Sequence, residues 1–300
     1  MNIPFVKYRK IYYIFSGILI LGSLACLVLF GLKFGIDFLG GSILEVKFEA
    51  RPENPVIQEK LKPLNLGEII IQPSGRQEVI LRLGAIDEAT HQKILSSLAE
   101  ISKTEEIRFE SVGPTIGKEL RQKTIVLVVI SLLALLCYIA IAFRKVTFPI
   151  TSWQYGLISI IALFFDVLIP IGLISLLGKF FQVQFGVPIV TALLTILGYT
   201  VNDKVIVFDR VRENLLTGRG KDFDEVVNMS LNQILSRSLS TGFCTLLVLF
   251  FIFFLGGETL KYFSLTLIIG IIVGTYSSLF LATPILVSWL KWRGRKKQLA

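Results

Sequence analysis

The chain has 300 residues, 53% of them hydrophobic and 18% charged, with a mean hydropathy of +0.70 and a formal net charge of +9. Soluble domains are typically about 45–50% apolar and about 25% charged, and this chain also carries several unbroken apolar runs of the length that crosses a bilayer, about 18 residues or more. A soluble enzyme, a disordered tail and a disulfide scaffold are thereby excluded, and an integral membrane protein is indicated.

A basic start (Lys7, Arg9, Lys10) precedes a first span over residues 12–32. Ser23-Leu24-Ala25-Cys26 faintly resembles a lipoprotein cleavage site, but a signal-peptide core is only about 7–15 residues long. Here the apolar run continues through Leu27, Val28, Leu29 and Phe30, which reads as an uncleaved anchor. Residues 33–121 carry charges throughout. Alternation predicts a strand over 42–49, and helical spacing after Asn54-Pro55 predicts a helix over 54–64. Strands follow over 68–72 and 78–83 around a Pro73-Ser74-Gly75 turn. Ile94, Leu95, Leu98 and Ile101 mark an amphipathic helix over 87–102, with His91 on its solvated face, and a last strand covers 107–112. The order β-α-β-β-α-β is the split βαβ or ferredoxin-like arrangement, and a unit of this size buries one modest core.

Five more spans are predicted over 124–143, 153–177, 187–208, 239–256 and 262–290, the last long enough to tilt or protrude. The fold class is therefore a polytopic α-helical membrane protein with six transmembrane helices and one α+β ferredoxin-like domain between the first and second. Its parts are 1–32 (cytoplasmic N-terminus and first helix), 33–122 (periplasmic domain), 123–290 (five-helix bundle) and 291–300 (basic tail). Cys26, Cys137 and Cys244 all fall in apolar runs and read as small core residues.

Lysine and arginine placement sets orientation. One set of ends and loops holds Lys7, Arg9, Lys10, Arg144, Lys145, Arg210, Arg212, Arg219, Lys221, Arg237, Lys291, Arg293, Arg295, Lys296 and Lys297, against Lys179 and Lys261 in the opposite short loops. Both termini are expected in the cytoplasm and the soluble domain in a bacterial periplasm. The basic excess is an orientation signal, not a nucleic-acid footprint.

No HExxH, nucleophile elbow, P-loop or paired CxxC motif occurs, so neither enzymatic activity nor a cofactor or metal is expected. Ionisable residues within the spans stand out, because each costs at least about 2.5–3.5 kcal/mol at mid-bilayer. Asp166 lies near the middle of the third span, Asn202-Asp203-Lys204 interrupts the fourth, and Arg237 opens the fifth. Asp203 is seven residues from Arg210, roughly 10 Å of helix rise, so a pair with Arg237 is geometrically feasible. Arg237 alone is equally consistent with snorkelling; Lys204 is expected to snorkel or to neutralise a carboxylate. Asp166 is either functional or a hydrogen bond across the bundle. Thr191, Thr195, Tyr199 and Asn202 form a polar stripe that should face protein or a wet cavity. Gly270, Gly274 and Ser278 form a small-xxx-small ladder for close helix packing.

Phe34-Gly35-Ile36-Asp37-Phe38-Leu39-Gly40-Gly41 and Val112-Gly113-Pro114-Thr115-Ile116-Gly117 resemble signatures of the SecD/SecF family. Gly198-Tyr199, Asn202-Asp203, Val207-Phe208-Asp209-Arg210 and Arg212-Glu213-Asn214 resemble its SecF branch, as do Leu231-Asn232-Gln233 leading to Arg237 and the run from Gly270 to Ser278. The similarity covers essentially the whole chain. It implies a subunit of the bacterial inner-membrane export machinery with the architecture of the RND superfamily. That subunit works with SecD and the SecYEG channel, in the company of YajC and YidC, and uses the proton-motive force to draw preproteins across. It also implies that Asp203 and Arg237 are essential ionisable residues, completed by an aspartate of SecD, and that Phe34, Gly35, Asp37, Gly40 and Gly41 form a coupling motif. Two positions depart from the family pattern: Lys204 replaces a small residue, and Phe165 replaces a histidine before Asp166. A lysine beside Asp203 favours its ionised form and works against proton uptake. The alternatives are a passive scaffold, a sodium-coupled subunit, or an RND-like exporter subunit; exporters of that class carry twelve spans and larger domains.

Overall fold

A computed structural model describes residues 3–75, 77–142, 152–218, 220 and 222–298, with the side chains of Ser152, Glu258, Thr259 and residues 293–298 left aside. Phe143, Arg144, Lys145, Arg219 and Lys221, and the side chains of Arg293, Arg295, Lys296 and Lys297, therefore lie outside the described residues.

The chain folds into two compact units, one formed by Met1–Leu32, Val128–Val183 and Pro188–Ala300, the other by Lys33–Leu127 with Gln184–Val187. Among the described residues, six helices are long and apolar enough to cross a membrane. They are α1 (Arg9–Phe30), α5 (Pro114–Ala142), α6 (Ser152–Phe181), α7 (Val187–Leu216), α8 (Phe223–Leu255), and a last span of α9 (Glu258–Tyr276), a π-helical segment (Ser277–Ala282) and α10 (Thr283–Gln298). Their centre is built from α6, α7 and the last span, through Tyr155, Ile158, Ala162, Val201, Phe208 and Leu279. Helices α1, α5 and α8 present Ile18, Leu29, Val129, Ile130, Phe251 and Phe254 outward, as lipid-facing helices do.

Two predicted boundaries move. The second span begins at Pro114, ten residues before the apolar run, because Pro114 opens a helix without needing an N–H. The fifth begins at Phe223, where Asp222 caps it by accepting from Glu225 N at 2.8 Å, so Arg237 lies inside α8 and not at its start. The long sixth span is locally widened by the π-helical segment Ser277–Ala282. The cysteines are not core residues: Cys137 and Cys244 are exposed on this chain and Cys26 is half-buried.

The second unit contains a short helix α2 (Ile36–Leu39), strands β1 (Gly41–Phe48), β2 (Ile70–Ser74), β3 (Glu78–Leu83) and β4 (Thr104–Val112), and helices α3 (Asn54–Leu61) and α4 (Glu88–Ala99). The sheet order is β2-β3-β1-β4, with every neighbouring pair antiparallel. Leu44, Val46 and Phe48 share one face of β1 and Val79, Leu81 and Leu83 one face of β3; α3 and α4 cover them with Ile57, Leu61, Ile94 and Leu98. Pro73 and Ser74 lie in β2 rather than in the turn. Its edge position tolerates a residue with no N–H to donate.

His91 is a further correction. It is buried, with its ring stacked 3.8 Å from that of Phe109, because α4 turns this position toward β4 and not toward water. Asp87 caps α4, accepting from Thr90 N at 3.0 Å. The Thr90 hydroxyl and backbone N–H together hold its carboxyl below the usual carboxylate range. Glu88 is held low in the same way, first by Gln92 and then by His91.

Candidate functional site

Asp166 on α6 and Lys204 on α7 are both wholly shielded from solvent, and Lys204 Nζ stands 2.5 Å from Asp166 Oδ2. The ammonium also donates to Ser277 Oγ at 3.1 Å, and Ser278 Oγ and the Thr200 carbonyl oxygen lie 3.5 Å from it. The Ser277 hydroxyl donates to Asp166 Oδ1. Two buried charges are tolerable only when they pair and their remaining hydrogen-bonding positions are filled, and this cluster meets both conditions. Lys204 therefore does not snorkel. It neutralises a carboxylate, but that of Asp166 and not that of its sequence neighbour.

The π segment supplies the serines. Its wider turn is closed by Thr283 Oγ1 donating to the Ser278 carbonyl at 3.0 Å, and it brings Ser277 and Ser278 to the ammonium together. Such insertions recur at functional sites. Close approach of the last span to α7 depends on its glycines. A Cβ on Gly270 would lie 2.1 Å from Ile196 Cδ1, and one on Gly274 would lie 2.0 Å from Thr200 Cγ2. Ser278, the third member of the ladder, bonds the Gly274 carbonyl at 2.8 Å.

Asp203 is 6% exposed, and its Oδ2 has no hydrogen-bond partner among the described residues. The charges that act on it are those of Lys204, Arg237 and Asp166. No Asp203–Arg237 ion pair forms among the described residues, because Arg237, an exposed residue of α8, does not close on the carboxylate. On α7, Thr191, Thr195 and Asn202 are exposed on this chain, and Tyr199 is half-buried. The polar stripe is thus not covered by the chain's own helices.

The glycine-rich segment after α1 lies in the sheet unit. Asp37 Oδ2 accepts from Val187 N at 2.8 Å, the first residue of α7. A carboxylate there satisfies an orphan donor and complements the helix dipole. Phe185 is fixed beside it, its N–H donating to the Lys33 carbonyl at 2.6 Å and its carbonyl accepting from Gly35 N at 3.0 Å. The rings of Phe34, Phe38 and Phe185 lie against one another. Gly40 (φ +79°) and Gly41 (φ +136°) adopt backbone conformations that only glycine takes readily, and a Cβ would sit 2.9 Å from Pro114 Cα or 2.8 Å from the Leu83 carbonyl oxygen.

At the far ends of α7 and α8, Asn214 donates to Ser230 at 2.8 Å and to Gln233 at 2.9 Å. Asn232 bonds both backbone groups of Ile3, at 2.8 and 3.0 Å. Sequence reasoning missed the parts played by Thr200, Ser277 and Asn232; two adjacent serines within an apolar span were the signal for the first cluster.

Residues 91–292 match the family model described as protein export membrane protein SecD/SecF, C-terminal, and residues 27–50 match the SecD/SecF GG motif. The chain is 40% identical to the protein translocase subunit SecF of Thermobaculum terrenum, over 96% of this chain and 94% of that protein. It is 38% identical to that of Rhodothermus marinus, over 100% and 97%. A crystal structure of SecDF, a translocon-associated membrane protein from Thermus thermophilus, superposes with a TM-score of 0.84 at 33% identity. The match covers 96% of this chain and spans only 39% of that longer one. A SecDF structure in a super-membrane-facing form gives 0.71 at 31% identity, over 99% and 40%.

Proposed function

Because the chain belongs to the SecD/SecF family of protein-export membrane proteins and is a SecF-like subunit, we propose that it couples the proton-motive force to preprotein export, with Asp203 as the group that takes up the proton. The carrying observation is the contrast between its two intramembrane aspartates. Asp166 is fully matched by Lys204 and Ser277, whereas Asp203 is buried with one carboxylate oxygen unpartnered. Of the three buried charges, two cancel and Asp203 leaves one negative charge that a proton neutralises. The lysine that departs from the family pattern hydrogen-bonds Asp166, so its ammonium and the Asp166 carboxylate act on Asp203 together and with opposite sign.

Neutralising Asp203 removes its attraction to Arg237 and changes how α7 packs on α8. The first residue of α7 is hydrogen-bonded to Asp37 in the coupling motif, so a shift of α7 reaches the sheet unit through Phe34, Gly35, Asp37, Gly40 and Gly41. One charge crossing 100 mV supplies about 2.3 kcal/mol, enough to bias a two-state element more than tenfold. In this scheme both termini are cytoplasmic and the sheet unit, read as a ferredoxin-like domain from its β2-β3-β1-β4 order, is periplasmic. SecD supplies the aspartate that completes the site and meets the exposed stripe of α7; SecYEG, YajC, YidC and the preprotein are the further partners.

The test is export into inverted inner-membrane vesicles containing SecD. Asp203→Asn should assemble normally and lose the stimulation that depends on the proton-motive force. Retained stimulation refutes the assignment and favours a passive scaffold.

A further inference from the structure

Four protein oxygens surround the Lys204 ammonium: Asp166 Oδ2 at 2.5 Å, Ser277 Oγ at 3.1 Å, and Ser278 Oγ and the Thr200 carbonyl at 3.5 Å. All four residues are buried, and the Thr200 hydroxyl beside them is buried without a partner among the described residues. One carboxylate, two hydroxyls and a backbone carbonyl form an oxygen-only donor set of the kind that hard cations select. It carries a single negative charge, so one monovalent cation makes it neutral. Carbonyls near irregular helix turns bind such ions in transporters, and here a π segment forms one wall.

We propose that Asp166, Thr200, Ser277 and Ser278 form a monovalent-cation site that the chain fills with its own ammonium group. With Lys204 in place the site is closed to free sodium or potassium. With Lys204 replaced by a short neutral side chain, Asp166 has no counter-charge within hydrogen-bonding reach, and the cage takes an ion from solution. The inference concerns Asp166 and stands whether or not Asp203 takes up the proton.

The experiment compares thermal unfolding of the full chain in detergent, in sodium, potassium or choline chloride at matched ionic strength. Wild type should unfold at one temperature in all three. Lys204→Ser should be more stable in sodium or potassium than in choline by about 2 °C or more, rising with ion concentration. The double variant Asp166→Asn/Lys204→Ser, which has no charge to neutralise, should fold and lose the difference. Equal midpoints for Lys204→Ser in all three salts overturn the proposal. So does its failure to fold in any of them while the double variant folds, or a specific gain by wild type in sodium or potassium.

Discussion

Replacing Gly274 by alanine should destabilise the bundle although alanine is the better helix former. The added Cβ would lie 2.0 Å from Thr200 Cγ2 and 3.0 Å from Thr200 Cβ, where carbon atoms rest at about 3.5–4.0 Å. Turning Thr200 about χ1 moves its methyl group but not its Cβ, so the backbones must separate by about 0.5 Å at least, and by about 1.5 Å if the methyl stays. Overpacking of this kind costs about 1–3 kcal/mol. The upper end is expected here, because Lys204 lies one turn beyond Thr200 and Ser277 less than a turn beyond Gly274, so the same movement stretches the Asp166–Lys204–Ser277 cluster. Gly198→Ala is the internal control. Nothing stands within 4 Å of a Cβ at Gly198 on α7, and that change should stabilise by up to about 1 kcal/mol through helix propensity. Reversible unfolding in mixed micelles reads both, and Thr200→Ala combined with Gly274→Ala should recover part of the loss. A Gly274→Ala protein as stable as Gly198→Ala refutes the close approach of the last span to α7.

Asp166→Asn should cost about 3–5 kcal/mol by stranding a buried ammonium, while Asp166→Asn/Lys204→Met should fall much nearer wild type; equal losses in the same unfolding assay would show that the pair is not buried. Asp37→Ala removes a helix cap, a change worth about 0.5–2 kcal/mol, and hydrogen exchange should show lost protection in the first turn of α7; unchanged protection there contradicts the link between the coupling motif and that helix. Asp87 and Glu88 are held below the ordinary carboxylate range by their hydrogen bonds. Their contribution is therefore complete above the unfolded values, near 4, and is lost as pH falls through the lower folded values. Protection of α4, corrected for intrinsic exchange, should decline over that acidic window, and less steeply in Asp87→Asn; a pH-independent profile would remove the cap from the account.

Much of this architecture was legible in the residues. Apolar runs located all six spans, alternation over residues 42–49 located β1, and the turn signal at Pro73-Ser74-Gly75 located β3. Helix ends were less legible where polar residues continue a helix beyond its apolar run, as before Arg237 in α8. The face of an amphipathic helix that meets a sheet edge was also ambiguous, and His91 was misplaced for that reason. At the site, the cost of intramembrane charge singled out Asp166, Asp203, Lys204 and Arg237, but the residues did not say which carboxylate Lys204 neutralises. Consecutive helical residues point about 100° apart, so Lys204 turns to α6 and the π segment while Asp203 faces elsewhere. No periodicity in residues 262–290 announced the π turn that brings Ser277 and Ser278 to the ammonium.

The central claim is that Asp203, and not Asp166, exchanges a proton. Infrared difference spectroscopy on the full chain with ¹³C-labelled aspartate, recorded as pH is lowered, observes that proton directly. One protonated-carboxyl band, distinct from those of the exposed aspartates common to every variant, should appear in wild type and in Asp166→Asn/Lys204→Met, and should be absent from Asp203→Asn. A band that survives in Asp203→Asn and vanishes in the Asp166 variant would contradict the account.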